Sequence, residues 1–413
     1  MFTILNQSKK SFARRGVLKT AHGEIQTPFF LPIATKGSVK ALASSDIKNL
    51  GAEIILSNTY HLYLQPGLKV LKKFGGLHKF MNWNGPILTD SGGYQVFSLG
   101  SGKREKKDSS FVKIIKDGVK FKSFLDGSEH FFTSEKVQEI QDIIGSDIKM
   151  VLDVCSPHPC SKKQAEKDLE LTHEWAKRAL EYHRDKRYEI RDKNNKNRNS
   201  KFQIRNSLLF GIVQGSVYKN LRLKSAKFLS KLNFDGLALG GLAVGEENKK
   251  MYEVLKYTVP ELPKNKPRYL MGVGKPENII AAVKQGIDMF DCVIPTREAR
   301  HGRLYVFNGL SSRPAKVLRS KISAGMGSHS DVNLNKKNFY EVININNSKF
   351  KNDIKPIDKN CSCELCQNYS AGYLHHLFKA GEPLALRLAT LHNLKFYLNL
   401  MENLRKKIVA GKL

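Results

Sequence analysis

Residues 208–215 read LLFGIVQG, six positions without a polar side chain closed by Gln and Gly. A strand with one wet face alternates apolar and polar residues. This one does not, so both its faces are buried, as in a parallel sheet covered by helices. Seven more short apolar runs end in polar or glycine-rich turns: FFLPIAT (29–35), AEIILSN (52–58), PILTDSGG (86–93), IKMVLDVC (148–155), DGLALGG (235–241), RYLMGVG (268–274) and MFDCVIPT (289–296). Helical stretches separate several of them. SKKQAEKDLELTHEWAKRALEYH (161–183) opens with a capping box in which Ser161 caps and Gln164 reaches back. KPENIIAAVKQG (275–286) places Pro276 near the first helical position and stops at Gly286. Eight buried strands alternating with helices predict an α/β fold of (β/α)8 barrel type; a doubly wound open sheet is the alternative that the pattern allows.

Lys and Arg number 69 against 38 Asp and Glu, a formal charge of +31. Such an excess points to a polyanionic partner, nucleic acid first and an anionic membrane surface second. Part of it reflects stretches rich in Lys and Asn. No run of about 18 apolar residues is present, the first fifteen residues lack a signal-peptide core, and six cysteines are too few for a disulfide scaffold. These features predict a soluble, cytoplasmic protein. Two segments read as insertions and as solvated loops: 184–206, with nine basic and three acidic residues, and 309–338, rich in Ser, Gly and Lys. Beyond residue 361 the chain reads as helical.

In a barrel the C-terminal strand ends share one rim, and chemistry collects there. Those ends here carry Asp90, Asp153 with Cys155, Gln214, Gly240 and Gly241, Met271 to Gly274, and Asp291. A single strand-ending Asp is commonly a cap or turn former; three of them with an amide suit displacement at a glycosidic carbon. One carboxylate attacks the anomeric carbon to form an ester, another handles protons, and a third helps to read a flat heterocycle. Gly-Gly pairs at 92–93 and 240–241 permit close backbone approach. Tyr94 offers a stacking face and Met271 a soft apolar one.

CSCELC (361–366) gathers half of the cysteines. C-x-C-x-x-C is three-quarters of a tetrahedral zinc site, and His375, His376 and His392 are all candidates for the fourth ligand; spacing does not choose among them. Iron–sulfur ligation would want a fourth Cys nearby.

TDSGGYQVFSL (89–99), GIVQG (211–215), GGLAVGE (240–246), YLMGVG (269–274), DMFDCVIPTR (288–297), and CSCELC with TLHN (390–393) resemble bacterial tRNA-guanine transglycosylases. The resemblance runs from about residue 10 to the C-terminus. It implies a (β/α)8 barrel with a small C-terminal zinc-binding subdomain. It also implies exchange of guanine at the wobble position of GUN-anticodon tRNA for 7-aminomethyl-7-deazaguanine, a step of queuosine synthesis. By the same resemblance Asp291 is the nucleophile and Asp90 the general acid/base. Asp153, Gln214 and Gly241 read the base, Tyr94 and Met271 sandwich it, and Val244 bars the bulkier queuine. Arg297 and Arg300 contact the anticodon loop. Cys361, Cys363, Cys366 and His392 hold a structural Zn2+, and the enzyme forms homodimers. His301 departs from the Asn that the resemblance leads one to expect. The expected organisation is a catalytic barrel over 1–308 interrupted at 184–206, a connecting insertion over 309–345, and the zinc-binding helical subdomain over 346–413. The competing readings are a non-catalytic RNA-binding paralogue or partner subunit, which would lack the acids, and a zinc hydrolase of nucleobases, which would need an open metal site on the rim.

Overall fold

All eight apolar runs become strands of one parallel sheet in the computed structural model, which describes residues 1–100, 112–196, 207–308, 332–334, 336 and 338–413. They are β1 (Phe29–Leu31), β2 (Ile55–Asn58), β3 (Ile87–Asp90), β4 (Ile148–Met150), β5 (Leu208–Val213), β6 (Gly236–Leu239), β7 (Arg268–Leu270) and β8 (Met289–Asp291). Each strand from β2 to β8 pairs with its neighbour in sequence, and β8 pairs back onto β1. Just past β1, Ile33 bridges to Leu56 and the Ala34 amide donates to the Leu56 carbonyl at 2.6 Å, so the sheet closes on itself. The fold is therefore the barrel and not the open sheet. Phe30, Met150, Phe210, Ile212, Leu239 and Phe290 pack in one buried cluster. A Cβ at Gly236 would stand 2.4 Å from the Phe210 ring, so only glycine fits there.

Three small antiparallel sheets escaped the sequence reading. One joins Phe2–Gln7, Arg14–Thr20 and Gly23–Thr27; a second joins Val112–Ile115, Gly118–Lys122 and Glu129–Thr133; a hairpin pairs Arg303–Phe307 with Tyr340–Asn344. Their strands are short and largely exposed on one side, so no apolar run marks them. The C-terminal helices Glu364–Asn368, Ala371–Ala380 and Pro383–Val409 follow the helical expectation.

The segment 184–206 is not a loop along its whole length. The helix that follows β4 spans Lys162–Lys196, and 197–206 lie outside the described residues. It buries one face that includes Leu169, Trp175, Ala176, Ala179 and His183, and the polar sequence after His183 still forms helix because Glu, Arg, Lys and Asp continue it without a Gly or Pro. A helix that leaves the C-terminal end of β4 and leads to the start of β5 runs back along the barrel. The described part of the basic segment, 184–196, thus continues that helix toward the end of the barrel away from the strand-end rim. At the start of this helix, Ser161 caps the Gln164 amide at 3.1 Å, but the Gln164 side chain turns forward to Asp168 at 2.6 Å, so only half of the capping box forms. Most of the segment 309–338 lies outside the described residues.

The first small sheet is fastened to the N-terminal ends of the barrel strands by two carboxylates. Asp288, immediately before β8, takes a two-point bond from the buried Arg14 guanidinium at 2.9 and 2.6 Å. Asp147, before β4, accepts from His22 Nδ1 at 2.8 Å, from the His22 amide at 3.1 Å and from the Ile87 amide at 2.9 Å. Burial opposes ionisation of Asp147, yet hydrogen bonds from His22 and His78 hold its carboxyl down at about 2; the bond to Asp147 raises the His22 pKa. A raised histidine contributes stability that is complete below its unfolded pKa and is lost as the pH climbs through the folded one. His22→Ala should therefore cost about 1 kcal/mol of unfolding free energy at pH 6 and much less at pH 9. Denaturant titrations at the two pH values check this, and an equal loss at both would refute it.

Candidate active site

The closed sheet carries Asp90, Asp153 and Asp291 to the wall of one cavity of about 550 Å³ at the C-terminal strand ends. Asp90 ends β3 opposite Asn58, which ends β2. Asn58 Nδ2 donates to its Oδ2 at 2.7 Å, and the amides of Thr59 and Gly92 donate to Oδ1 at 3.3 and 3.2 Å. Those donors favour the anion, but withdrawal from water outweighs them and the Asp291 charge adds to it, so the Asp90 carboxyl is pushed up to about 7. Asp291, the last residue of β8, receives the Tyr269 hydroxyl at 2.6 Å and the Gly272 amide at 2.7 Å, both on Oδ1. Burial raises its pKa as well. No described donor reaches Oδ2. Asp288, three residues earlier, sits at the other end of the barrel with Arg14.

Asp153, 6% exposed, accepts the Gln214 side-chain amide at 2.7 Å and the Ser91 hydroxyl at 3.3 Å, and burial lifts it to about 6. Gln214 is buried with its Oε1 unpartnered and, unlike Asp153 and Gly241, is not among the residues that line the cavity. Gly241 lies against that amide in a left-handed conformation (φ +63°), where a Cβ would stand 2.5 Å from Oε1; both demands require glycine. Tyr94, 54% exposed, lines the same cavity as Met271, Val244 and Arg297. Arg300 is farther along the helix Ile294–Arg300, its Nη1 donating to the Thr296 carbonyl at 2.9 Å, and is not in the cavity wall. Burial holds the thiols of Cys155 and Cys292 up at about 12 and about 11, so neither is a thiolate near neutral pH.

The sequence profile of the queuine tRNA-ribosyltransferase family matches residues 8–413. The chain belongs to that family. Queuine tRNA-ribosyltransferase of Dictyoglomus turgidum is 45% identical over 413 residues, covering all of this chain and 92% of the relative. The enzyme so named in Caldanaerobacter subterraneus subsp. tengcongensis is 45% identical over 412 residues, covering 100% and 94%. That of Vibrio campbellii is 45% identical over 402 residues, covering 97% and 91%. The chain is thus a pentosyltransferase by family. Several of the residues around its acids went unread in the sequence. Asn58 ends an apolar run and was findable as a strand-end polar group. Tyr269 and Ser91 were not, because an aromatic ring inside a strand and a Ser beside a Gly pair read as packing and turn.

Away from the cavity, Cys361, Cys363, Cys366 and His392 are all buried with their donor atoms within 4.8 Å of one another. His392 Nδ1 lies 3.7 Å from Cys363 Sγ and 3.3 Å from Cys366 Sγ, while Nε2 donates to the Tyr305 carbonyl at 2.9 Å. That outer bond fixes the tautomer and leaves the Nδ1 lone pair facing the thiols. Three sulfurs and one imidazole so placed fit a metal ion with four protein ligands and no open position. His375 bonds instead to the Ile345 carbonyl at 2.7 Å, and neither it nor His376 joins the group. His22, His78 and Asp147 also lie together, but the two rings stack at 3.7 Å and both face one carboxylate, an arrangement of N–H donors sharing an anion. Elemental analysis of the purified chain should find one metal equivalent. Cys363→Ser should remove most of it and lower the melting midpoint by about 5 °C or more. An unchanged metal content in that variant would refute the assignment.

Proposed function

We propose that this enzyme replaces guanine in tRNA by a 7-deazaguanine base, through a covalent ester between Asp291 and ribose C1′. The observation that carries this reading is the state of Asp291: one oxygen tied down by Tyr269 and Gly272, the other without a described donor, in a cavity wall shared with two more acids. In the first half-reaction Asp291 Oδ2 attacks C1′ as the bond from C1′ to guanine breaks. The bonding pair leaves with the guanine nitrogen, which takes a proton from the carboxylic acid form of Asp90. In the second, the incoming base gives the corresponding proton to the Asp90 carboxylate, its nitrogen attacks C1′, and Asp291 departs as a carboxylate. The cycle returns both acids to their starting forms, so one group with a pKa near neutrality serves both directions. Asp153, mostly ionised at neutral pH, accepts the base's N–H edge. The second Nε2–H of Gln214 and the Gly241 amide serve its carbonyl, and Tyr94 and Met271 hold its faces.

The reading extends to the wobble guanine of GUN anticodons, to 7-aminomethyl-7-deazaguanine as the incoming base with Val244 limiting its bulk, and to zinc as the ion of the thiolate-rich site, where it holds structure and takes no part in the chemistry. Arg297 and Arg300 on one helix suit the RNA backbone and base edges through their planar forks. The working form is a cytoplasmic homodimer. The division into a barrel over 1–308, a connecting segment over 309–345 and a zinc-binding subdomain over 346–413 belongs to the same proposal. Among the described residues no helix is long and apolar enough to cross a membrane.

Incubation with unmodified GUN-anticodon tRNA and radiolabelled guanine should label the RNA, and Asp291→Ala should abolish labelling while RNA binding persists. A folded, metal-replete chain that binds the RNA without exchange would be the non-catalytic paralogue. The pH profile separates the acids. The first half-reaction needs Asp291 ionised and Asp90 protonated, so guanine release should fall below the raised Asp291 pKa and again above about 7. Asp90→Asn should slow release by about 10² to 10⁴ and remove the alkaline limb. Persistence of that limb in the variant would exclude Asp90 as the proton donor.

A further inference from the structure

Behind the base-reading edge lies a fully buried cation. Arg222, on the helix Lys219–Ser230, is 0% exposed. Among the described residues it makes no ion pair; its guanidinium is spent on three backbone carbonyls. Nε donates to Ser216 O at 2.6 Å, Nη1 to Val213 O at 2.9 Å and Nη2 to Gly241 O at 3.1 Å. Val213 and Ser216 flank Gln214 in the chain, and Gly241 lies against the Gln214 amide from the next strand. One planar group therefore grips both loops that present donors to the base. It does so where the backbone resists: Ser216 and Gly241 both stand at positive φ, 50° and 63°. A non-glycine residue at such an angle persists only where its surroundings hold it.

A buried charge of this kind works against stability, and a hydrophobic residue of similar size would serve packing better. Burial lowers the Arg222 pKa only to about 10, so the group stays charged at neutral pH. Lysine could not replace it, because one ammonium cannot address three carbonyls lying in the plane of a fork.

We infer that Arg222 is the positioning residue of base recognition, holding the two strand-end loops in register so that Gln214 and Gly241 meet the same carbonyl of the base. The inference rests on the base-exchange reading given above. The test is steady-state exchange of labelled guanine by wild type, Arg222→Lys and Arg222→Met, beside filter binding of an anticodon stem-loop and thermal melts. Arg222→Met should raise KM for guanine about tenfold or more, since bonds from a charged donor are lost at both loops. Arg222→Lys should recover part of that, and stem-loop affinity should stay within about twofold in both because the RNA-facing arginines are elsewhere. An unchanged guanine KM would overturn the inference. So would loss of guanine KM, stem-loop binding and melting temperature together, which would make Arg222 a plain scaffold residue. Absence of labelling by the wild-type enzyme would instead defeat the base-exchange reading.

Discussion

The parallel pairing that closes the sheet is the constraint on which the rim depends. Asn58 stands opposite Asp90 in the ladder between β2 and β3, and Asp291 stands opposite Leu31 between β8 and β1. Side chains in a strand alternate between faces, so a slip of one residue in either ladder would turn a carboxylate out of the cavity and an apolar residue into it. The ring has no free edge to absorb such a slip. Closure between Ile33 and Leu56 therefore specifies the approach of acids that lie 200 residues apart in the chain.

The same closure sets their protonation. Each acid has hydrogen-bond donors that favour the anion, and around Asp147 such donors win and hold the carboxyl at about 2. At Asp90 and Asp153 they lose to desolvation, and the carboxyls rise to about 7 and about 6. The linkage is unfavourable to the fold. Between the unfolded value near 4 and the folded value, the native state holds protons that the unfolded chain has released, so this part of the stability declines as the pH rises. The buried Arg222 adds to the load. A site assembled against stability in this way is a mark of selection for chemistry.

The barrel was legible because its eight strands are buried on both faces and each ends in a turn, so apolar run length alone located all of them. The strand-end carboxylates were legible as candidates because the barrel hypothesis put them at one rim. What could not be read was whatever depends on partners distant in sequence. Arg222 sits in a helix whose pattern marks it as one cation among many, and only its three carbonyl contacts distinguish it. Tyr269 reads as core from either side. The 184–206 segment read as a loop from its charge and its lack of apolar periodicity, and neither fixes backbone conformation when no breaker is present. Spacing alone left three histidines open as the fourth partner of the cysteine cluster; the resemblance pointed to His392, and the structure has His392 facing the thiols while His375 bonds elsewhere.

The cysteine–histidine cluster and Asp291 are joined by one rigid element. The helix Pro383–Val409 carries His392, whose ring holds the Tyr305 carbonyl, and beside it Asn393, whose amide donates to Pro295 O at 3.0 Å and Arg303 O at 2.9 Å. One turn further on, the Tyr397 hydroxyl donates to Gly274 O at 2.6 Å. Pro295 lies in the helix that begins three residues after Asp291, and Gly274 lies two residues beyond the Gly272 amide that orients Asp291. An ion bound there would pull CSCELC onto this helix and so fix the helix against the loops on both sides of Asp291. Its influence on catalysis would pass through backbone position, with no ligand of the metal near the substrate cavity. The angle of that helix therefore bears on the backbone that orients the Asp291 carboxylate, although none of the four residues of the cluster lines the cavity.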